Sequence, residues 1–260
     1  MTRRRVFLGC LLCGAIAAAP AVRGQQPVDR SKPPAIGPAP ILKLPPLDKR
    51  TLSNGLQVWV MGIHKVPTVH LELAVRTGIT ADPVGKFGVS SLTADMLDEG
   101  AGTRSALEIA DAIDFLGAEL VTTGTADATY VELHVPVARL GDALPVMADV
   151  VARPTFAEAE LNRLRDERLA QLLQMQDDPE LLIQVAFPRV VFGPRHRYGT
   201  PVVGTTASLK GLTVADLKTY HATNIRPSNA VLVVAGDVKA DTIVVVTSTD
   251  GEDLFIYTNQ

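Results

Sequence analysis

The chain is 260 residues long and carries 25 Lys and Arg against 28 Asp and Glu, with five His and two Cys. Residues 1–24 hold Arg3, Arg4, Arg5 and Arg23, both cysteines (Cys10 and Cys13) and no acid, so the remainder has a net charge of about −7 and no thiol. That balance excludes a nucleic-acid binder, which needs clustered Lys and Arg, and the missing thiols exclude a disulfide framework, a Cys zinc site and a Cys nucleophile.

Residues 1–24 read as an export signal. Three arginines precede the apolar run Val6 to Ala19, and small residues follow it up to Gly24. The run is too short to act as a stable membrane span. Arg4-Arg5-Val6-Phe7-Leu8 resembles a twin-arginine signal, which leaves both general and twin-arginine export open. The chain is therefore expected to be exported, to the periplasm or cell envelope. Residues 25–47 form a spacer, because seven prolines between Gln25 and Lys49 favour an extended segment without a core.

The folded part is expected over 48–238. Asn54-Gly55 supplies the positive-φ turn of a hairpin running into Gln57 to Val60. Val69, Leu71, Leu73 and Val75 alternate as in a half-buried strand. A helical pattern covers Phe87 to Glu99 and stops at Gly100. Ser105 and Glu108 form a capping box that opens a helix ending at Gly117. Leu120 to Thr123 and Thr129 to Val135 read as strands. Phe156 to Asp178 reads as a long helix with Leu161, Leu164, Leu172 and Met175 on one stripe, followed from Pro179 to Val191 by a shorter one. A helix near Val214 to His221 leads to Ala230 to Val234, read as a buried strand. Residues 239–260 form a divergent tail with two β-prone runs around Asp250-Gly251. The mixed order of strands and helices predicts an α+β fold, a mainly antiparallel sheet with helices packed on one face.

Most catalytic signatures are missing. There is no phosphate-binding loop at Gly85-Lys86, no nucleophile elbow and no Ser-x-x-Lys in the folded part. The five histidines are His64, His70, His134, His196 and His221, and no two lie four apart, so no helix presents a His pair to zinc. Each reads as an ordinary polar residue: His134 on the solvent face of its strand, His196 as a hydrogen-bonding anchor of its loop.

The sequence nevertheless carries a series of matching segments. They are Leu52-Ser53-Asn54-Gly55-Leu56, Pro67-Thr68-Val69, the Gly85–Gly88 approach to Met96-Leu97-Asp98-Glu99-Gly100, Gly117-Ala118-Glu119-Leu120, and Asp178-Pro179. His196-Arg197-Tyr198-Gly199-Thr200-Pro201, Arg226-Pro227-Ser228-Asn229-Ala230 and Val233-Val234-Ala235-Gly236-Asp237 complete the series. In this order they resemble the N-terminal domain of the insulinase/pitrilysin (inverzincin) metallopeptidase family. The resemblance implies a zinc site built from H-x-x-E-H on the helix near residue 90 and a distal Glu on the long helix. Here the first ligand falls on Ser91, the base on Ala94, the second ligand on Asp95 and the distal Glu on Gln171. All four positions are changed, so zinc, the cofactor of active members, is expected to be absent and the chain to be non-catalytic. The family's peptide-binding edge strand falls on Leu120, Val121, Thr122 and Thr123, with Val121-Thr122 where active members usually have Asn-Ala.

The resemblance also implies a partner, since catalytic chains of this kind pair with inactive homologues to enclose a peptide chamber. A hetero-oligomer with a catalytic zinc-peptidase homologue, and peptides as ligands, are the expected partners. Two alternatives stand beside it: an endopeptidase with an atypical metal site built on Asp95, and a truncated fragment without function.

Overall fold

The computed structural model describes residues 43–194 and 196–239, the isolated positions Gly37 and Ile41, and the backbone of two short strands in the tail. Residues 1–24, expected to be an export signal, and most of residues 25–47, expected to be a spacer, lie outside the described residues. Six strands, β1 (Leu47–Thr51), β2 (Gln57–Gly62), β3 (Thr68–Val75), β4 (Glu119–Gly124), β5 (Thr129–Pro136) and β6 (Ala230–Gly236), form one sheet in the order β1-β2-β6-β3-β5-β4. Every neighbouring pair is antiparallel except β2 and β6. The expected α+β class is the observed one. A separate antiparallel pair, β7 (Ile243–Thr247) and β8 (Leu254–Thr258), accounts for the two β-prone runs of the tail.

Among the described residues, seven α-helices accompany the sheet: α1 (Val89–Asp95), α2 (Ala106–Phe115), α3 (Leu140–Ala152), α4 (Glu158–Gln174), α5 (Pro179–Phe192), α6 (Thr206–Gly211) and α7 (Val214–Asn224). The core lies between the helices and one sheet face. Successive strand residues point to opposite faces, so the alternation in β3 sends Val69, Leu71, Leu73 and Val75 inward. Val131, Leu133, Val135, Leu232 and Val234 join them from β5 and β6, and meet Leu92, Ile113, Met147, Leu161 and Leu217 from the helices. Truncating a side chain as enclosed as Leu71 to alanine costs about 2–5 kcal/mol. The opposite face of β3 and β5 carries the polar residues His70, Glu72, Glu132 and His134.

Several expectations shift. The helix expected over 87–99 is only Val89–Asp95. Gly88 caps it in the left-handed region (φ +88°), and the Asp82 carboxylate accepts from the Gly88 and Ser90 amides at 2.6 and 3.0 Å. The apolar pattern ran on because Met96 and Leu97 are buried in the turn that follows. Helix α3 is not among the expected elements; it is mostly buried and contains Pro145, a helix-breaking signal. Helix α6 also went unread. β6 is not buried on both faces: Leu232 and Val234 are enclosed, but Val231 and Val233 are half-buried on the other side.

Two close backbone approaches fix where β4, α1 and the 200–204 loop meet. A Cβ on Gly88 would sit 2.8 Å from Gly204 Cα, and one on Gly124 would sit 2.6 Å from Ser91 Cα. No flexible side chain can yield at either contact. Gly124→Ala should therefore lower stability by about 1–3 kcal/mol, the usual cost of overpacking, as a fall in the urea midpoint at unchanged slope.

His221, on α7, packs edge-on against Phe156, and its Nε2–H donates to the Val151 carbonyl at 2.8 Å. Burial holds its pKa below the ordinary value of 6.5, outweighing the backbone hydrogen bond that favours the charged ring. The unfolded chain then binds the proton more readily than the folded one. The contribution is complete above pH 6.5 and is lost as the pH falls below it. Urea midpoints measured between pH 7.5 and 5.5 should decline, and His221→Asn should flatten that decline.

Candidate functional site

The residues singled out in the sequence converge. Ser91 and Asp95 from α1, Thr122, Thr123 and Gly124 from β4, and Leu164, Glu167, Arg168 and Gln171 from α4 line one cleft of about 370 Å³, closed by Val202 and Val203. Ala94, at the position of the family's base, is wholly buried and offers only a methyl group. β4 is the last strand of the sheet and pairs only with β5 among the described residues. Within it Leu120 and Thr122 lie on one face while Val121, 39% exposed, and Thr123 lie on the other. The Thr122 hydroxyl donates to Asp98 Oδ1 at 3.3 Å.

One residue at the centre of the cleft had not been anticipated. Arg168 is 7% exposed, and its guanidinium reaches both positions that would carry the two helical ligands. Nη2 donates to Asp95 Oδ2 at 2.5 Å and Nη1 to Ser91 Oγ at 3.0 Å, with Val203 O at 3.4 Å. The Ser91 hydroxyl accepts from Arg168 and donates to Val202 O at 2.6 Å. The ligand face is thus not a blank polar surface beside water but a closed hydrogen-bond network around a cation. A signal for it exists in the sequence: Arg168 interrupts the apolar stripe Leu161, Leu164, Leu172 and so sits at a core-facing position.

The other carboxylates near the cleft are also engaged. Arg163 on α4 pairs with Glu99, with Glu160 at 2.8 Å and with Glu167 at 2.9 Å. Burial raises the pKa of Asp98, against the opposing pull of hydrogen bonds from its own backbone amide and from Thr122. Next to the cleft lies a more apolar pocket of about 420 Å³ between α5 and the 198–203 loop, and the two share Gln171, Val202 and Val203. The loop is held as expected of His196: its Nδ1 accepts from the Tyr198 amide at 3.2 Å, and the Tyr198 hydroxyl donates to Asp127 at 2.7 Å.

The family model described as Insulinase (Peptidase family M16) matches residues 59–196, more than half of the chain. The chain belongs to the insulinase family. A second model of that family, described as the M16 inactive domain, matches residues 211–248. A Mycobacterium leprae protein named an uncharacterised zinc protease is 30% identical over 196 residues, which are 75% of this chain and 44% of that protein. A Bacillus subtilis protein named an uncharacterised zinc protease, YmxG, is 24% identical over 192 residues, 74% of this chain and 47% of the other. Among solved structures, a Pseudomonas fluorescens protein named as an M16 inactive domain matches with a TM-score of 0.73 at 26% identity, over 75% of this chain and 48% of that one. The first half of the periplasmic protease PqqL from Escherichia coli shares the fold, with a TM-score of 0.69 at 18% identity over 78% and 45% of the two chains. This insulinase-family chain spans about half the length of the curated relatives it matches.

The residues of the cleft do not fit a zinc ion. Ser91 offers a neutral hydroxyl whose proton is directed at a carbonyl, Gln171 a neutral amide, and Ala94 nothing. Asp95 alone has the right chemistry, and it is paired with a guanidinium that cannot lose its proton. A divalent ion at Asp95 would lie within a few ångströms of that fixed charge.

The same pairing makes an asymmetric stability prediction. Asp95→Ala strands a buried cation and should cost about 3–5 kcal/mol, whereas Arg168→Met leaves a carboxylate that is 39% exposed and can hydrate, costing about 1–2 kcal/mol. Chemical denaturation of both variants checks the order. Equal losses would mean that Asp95 is not what holds the guanidinium.

Proposed function

We propose that this chain is an exported, non-catalytic insulinase-family subunit that binds peptide beside, and together with, a catalytic zinc-peptidase homologue. The observation that carries the reading is Arg168. A buried cation bridges the two positions where active relatives are expected to bring imidazoles to zinc, and the residue at the base position is a methyl group. Water activation needs a metal or a base; the base position is Ala94, and the cleft carboxylates Asp95 and Glu167 are paired with Arg168 and Arg163. An endopeptidase with an atypical site on Asp95 would first have to break the Asp95–Arg168 ion pair, which counts against that alternative.

The peptide-binding half of the reading rests on β4. An edge strand with a free side offers main-chain donors and acceptors to an extended peptide, and Thr122 and Thr123, at the end of the Leu120 to Thr123 stretch, line the cleft. The partner half rests on α5. Its residues Leu182, Ile183, Phe187, Val190, Val191 and Phe192 are exposed, Val190 to 82%, and none of the helix is buried. Apolar surface on every side of a helix is a mark of an interaction face. The match to about half of each relative supports a second half, in cis or in trans, as the covering body. The composition of residues 1–24 supports export.

Co-expression with an insulinase-family chain that carries intact H-x-x-E-H, followed by native mass spectrometry and a quenched-peptide assay, tests the reading. The expected result is a one-to-one heteromer whose hydrolysis is abolished when the partner's Glu is replaced, while the present chain alone is inactive with zinc added. Hydrolysis by this chain alone that disappears in Asp95→Ala would overturn it.

A further inference from the structure

The sheet face turned away from the helices holds a group of side chains that the cleft does not use. β3 contains His70-Leu71-Glu72 and β5 contains Glu132-Leu133-His134, the same three residue types in reverse order. The strands are antiparallel, and their register sets His70 opposite His134 and Glu72 opposite Glu132. Leu71 and Leu133 point into the core, so the other four side chains emerge together on the outer face as a two-by-two array.

Within this array one donor atom each of His70, Glu72 and Glu132 lies within 4.8 Å of the other two. His70 Nε2 is 3.9 Å from Glu132 Oε2, and the His70 and His134 ring centres are 6.2 Å apart. Two carboxylates placed directly opposite each other across a ladder repel and destabilise the pair. No Lys or Arg forms an ion pair with either of them among the described residues. The flanking strands bring no cation. Ala235 and Val233 of β6 lie beside His70 and Glu72, and on β4 Val121 lies beside Glu132 and Glu119 beside His134. The array therefore concentrates acidic groups and imidazoles on a face where His70 and Glu132 are each more than a third exposed.

We propose that His70, Glu72 and Glu132 form a surface site for a zinc-class divalent transition-metal ion, with His134 or water at the fourth position. Mixed imidazole and carboxylate ligands suit zinc, whereas calcium and magnesium take oxygen ligands and more of them. The bound ion replaces the Glu72–Glu132 repulsion with shared coordination. This site is on the opposite face of the sheet from α1 and is independent of the cleft, so its presence or absence leaves the proposed function untouched.

Isothermal titration of Zn²⁺ into the untagged full chain tests it, with Cys10 and Cys13 alkylated beforehand so that thiols do not contribute. The expected result is one equivalent bound, weakened by roughly tenfold or more in Glu72→Gln and by as much in Glu132→Gln, and unchanged in Gln171→Leu. Both Gln variants remove a like-charge contact and should fold. As a second readout, Zn²⁺ should perturb the imidazole proton resonances of His70 and His134 while leaving those of His64 and His196 in place. No binding at 100 μM Zn²⁺, binding that survives both Gln variants, or binding lost in Gln171→Leu would overturn the proposal.

Discussion

A guanidinium keeps its charge at any pH a protein meets, so one that is buried must be held by acceptors on every side that water has left. Arg168 meets that requirement with Asp95, Ser91 and the carbonyl of Val203, and the geometry of the cleft follows from it. Helix α4 must run alongside α1 at a distance set by the reach of an arginine. The 202–203 segment must come down far enough for its carbonyls to close the network, which the Gly88–Gly204 approach permits because neither residue has a Cβ. A metal site and this network solve the same physical problem, gathering electron-rich groups from α1 and α4 around positive charge. The difference is that a guanidinium carries no open coordination position. It holds the two helices together through Asp95 and Ser91, the two positions on α1 where the resemblance expects zinc ligands.

How much of this could be read beforehand depended on whether the relevant forces are local. The alternation in β3, the Asn54-Gly55 turn and the Ser105–Glu108 capping box are decided within a few residues, and each appears where its pattern placed it. Helix α3 is decided by tertiary packing, since Pro145 argues against helix locally while the burial of most of its residues overrides it. The cleft was legible as a set of positions, since Ser91, Asp95, Thr122 and Gln171 do meet. Its chemistry was not legible, because the residue that fills it lies 77 positions from Ser91 on a helix that carries three arginines. Only the placement of Arg168 on the Leu161–Leu164–Leu172 stripe distinguishes it from its solvated neighbours, and a charged residue on an apolar stripe is a sign of a buried partner.

The histidines teach the complementary lesson. Taken one at a time each is an ordinary polar residue, and three of them have hydrogen-bond partners: His64 with Asp237, His196 with the Tyr198 amide and His221 with the Val151 carbonyl. His70 and His134 gain significance only through register. A slip of one residue between β3 and β5 would break the opposition of like with like and turn Glu132 and His134 toward the core. The buried leucines between the polar pairs fix that register, so the same hydrophobic alternation that builds the core also sets the polar array on the far face.

Helix α5 and strand β4 raise one question from two directions, namely what completes the structure. An isolated globular domain exposes scattered apolar side chains, but a helix with Phe187, Val190, Val191 and Phe192 all open to water bears a free-energy penalty that covering surface would remove. An edge strand bears a similar penalty in unpaired main-chain groups. Both features border the cleft or the apolar pocket beside it, so a body that covers α5 and a peptide that lengthens the sheet at β4 would meet over the same Gln171. If both bind as proposed, contact between them over Gln171 would raise the affinity for each when the other is bound. Such cooperativity needs no chemistry in this chain. It requires only that the α1–α4 pair stay rigid beneath the bound segment, and that rigidity is what Arg168 supplies.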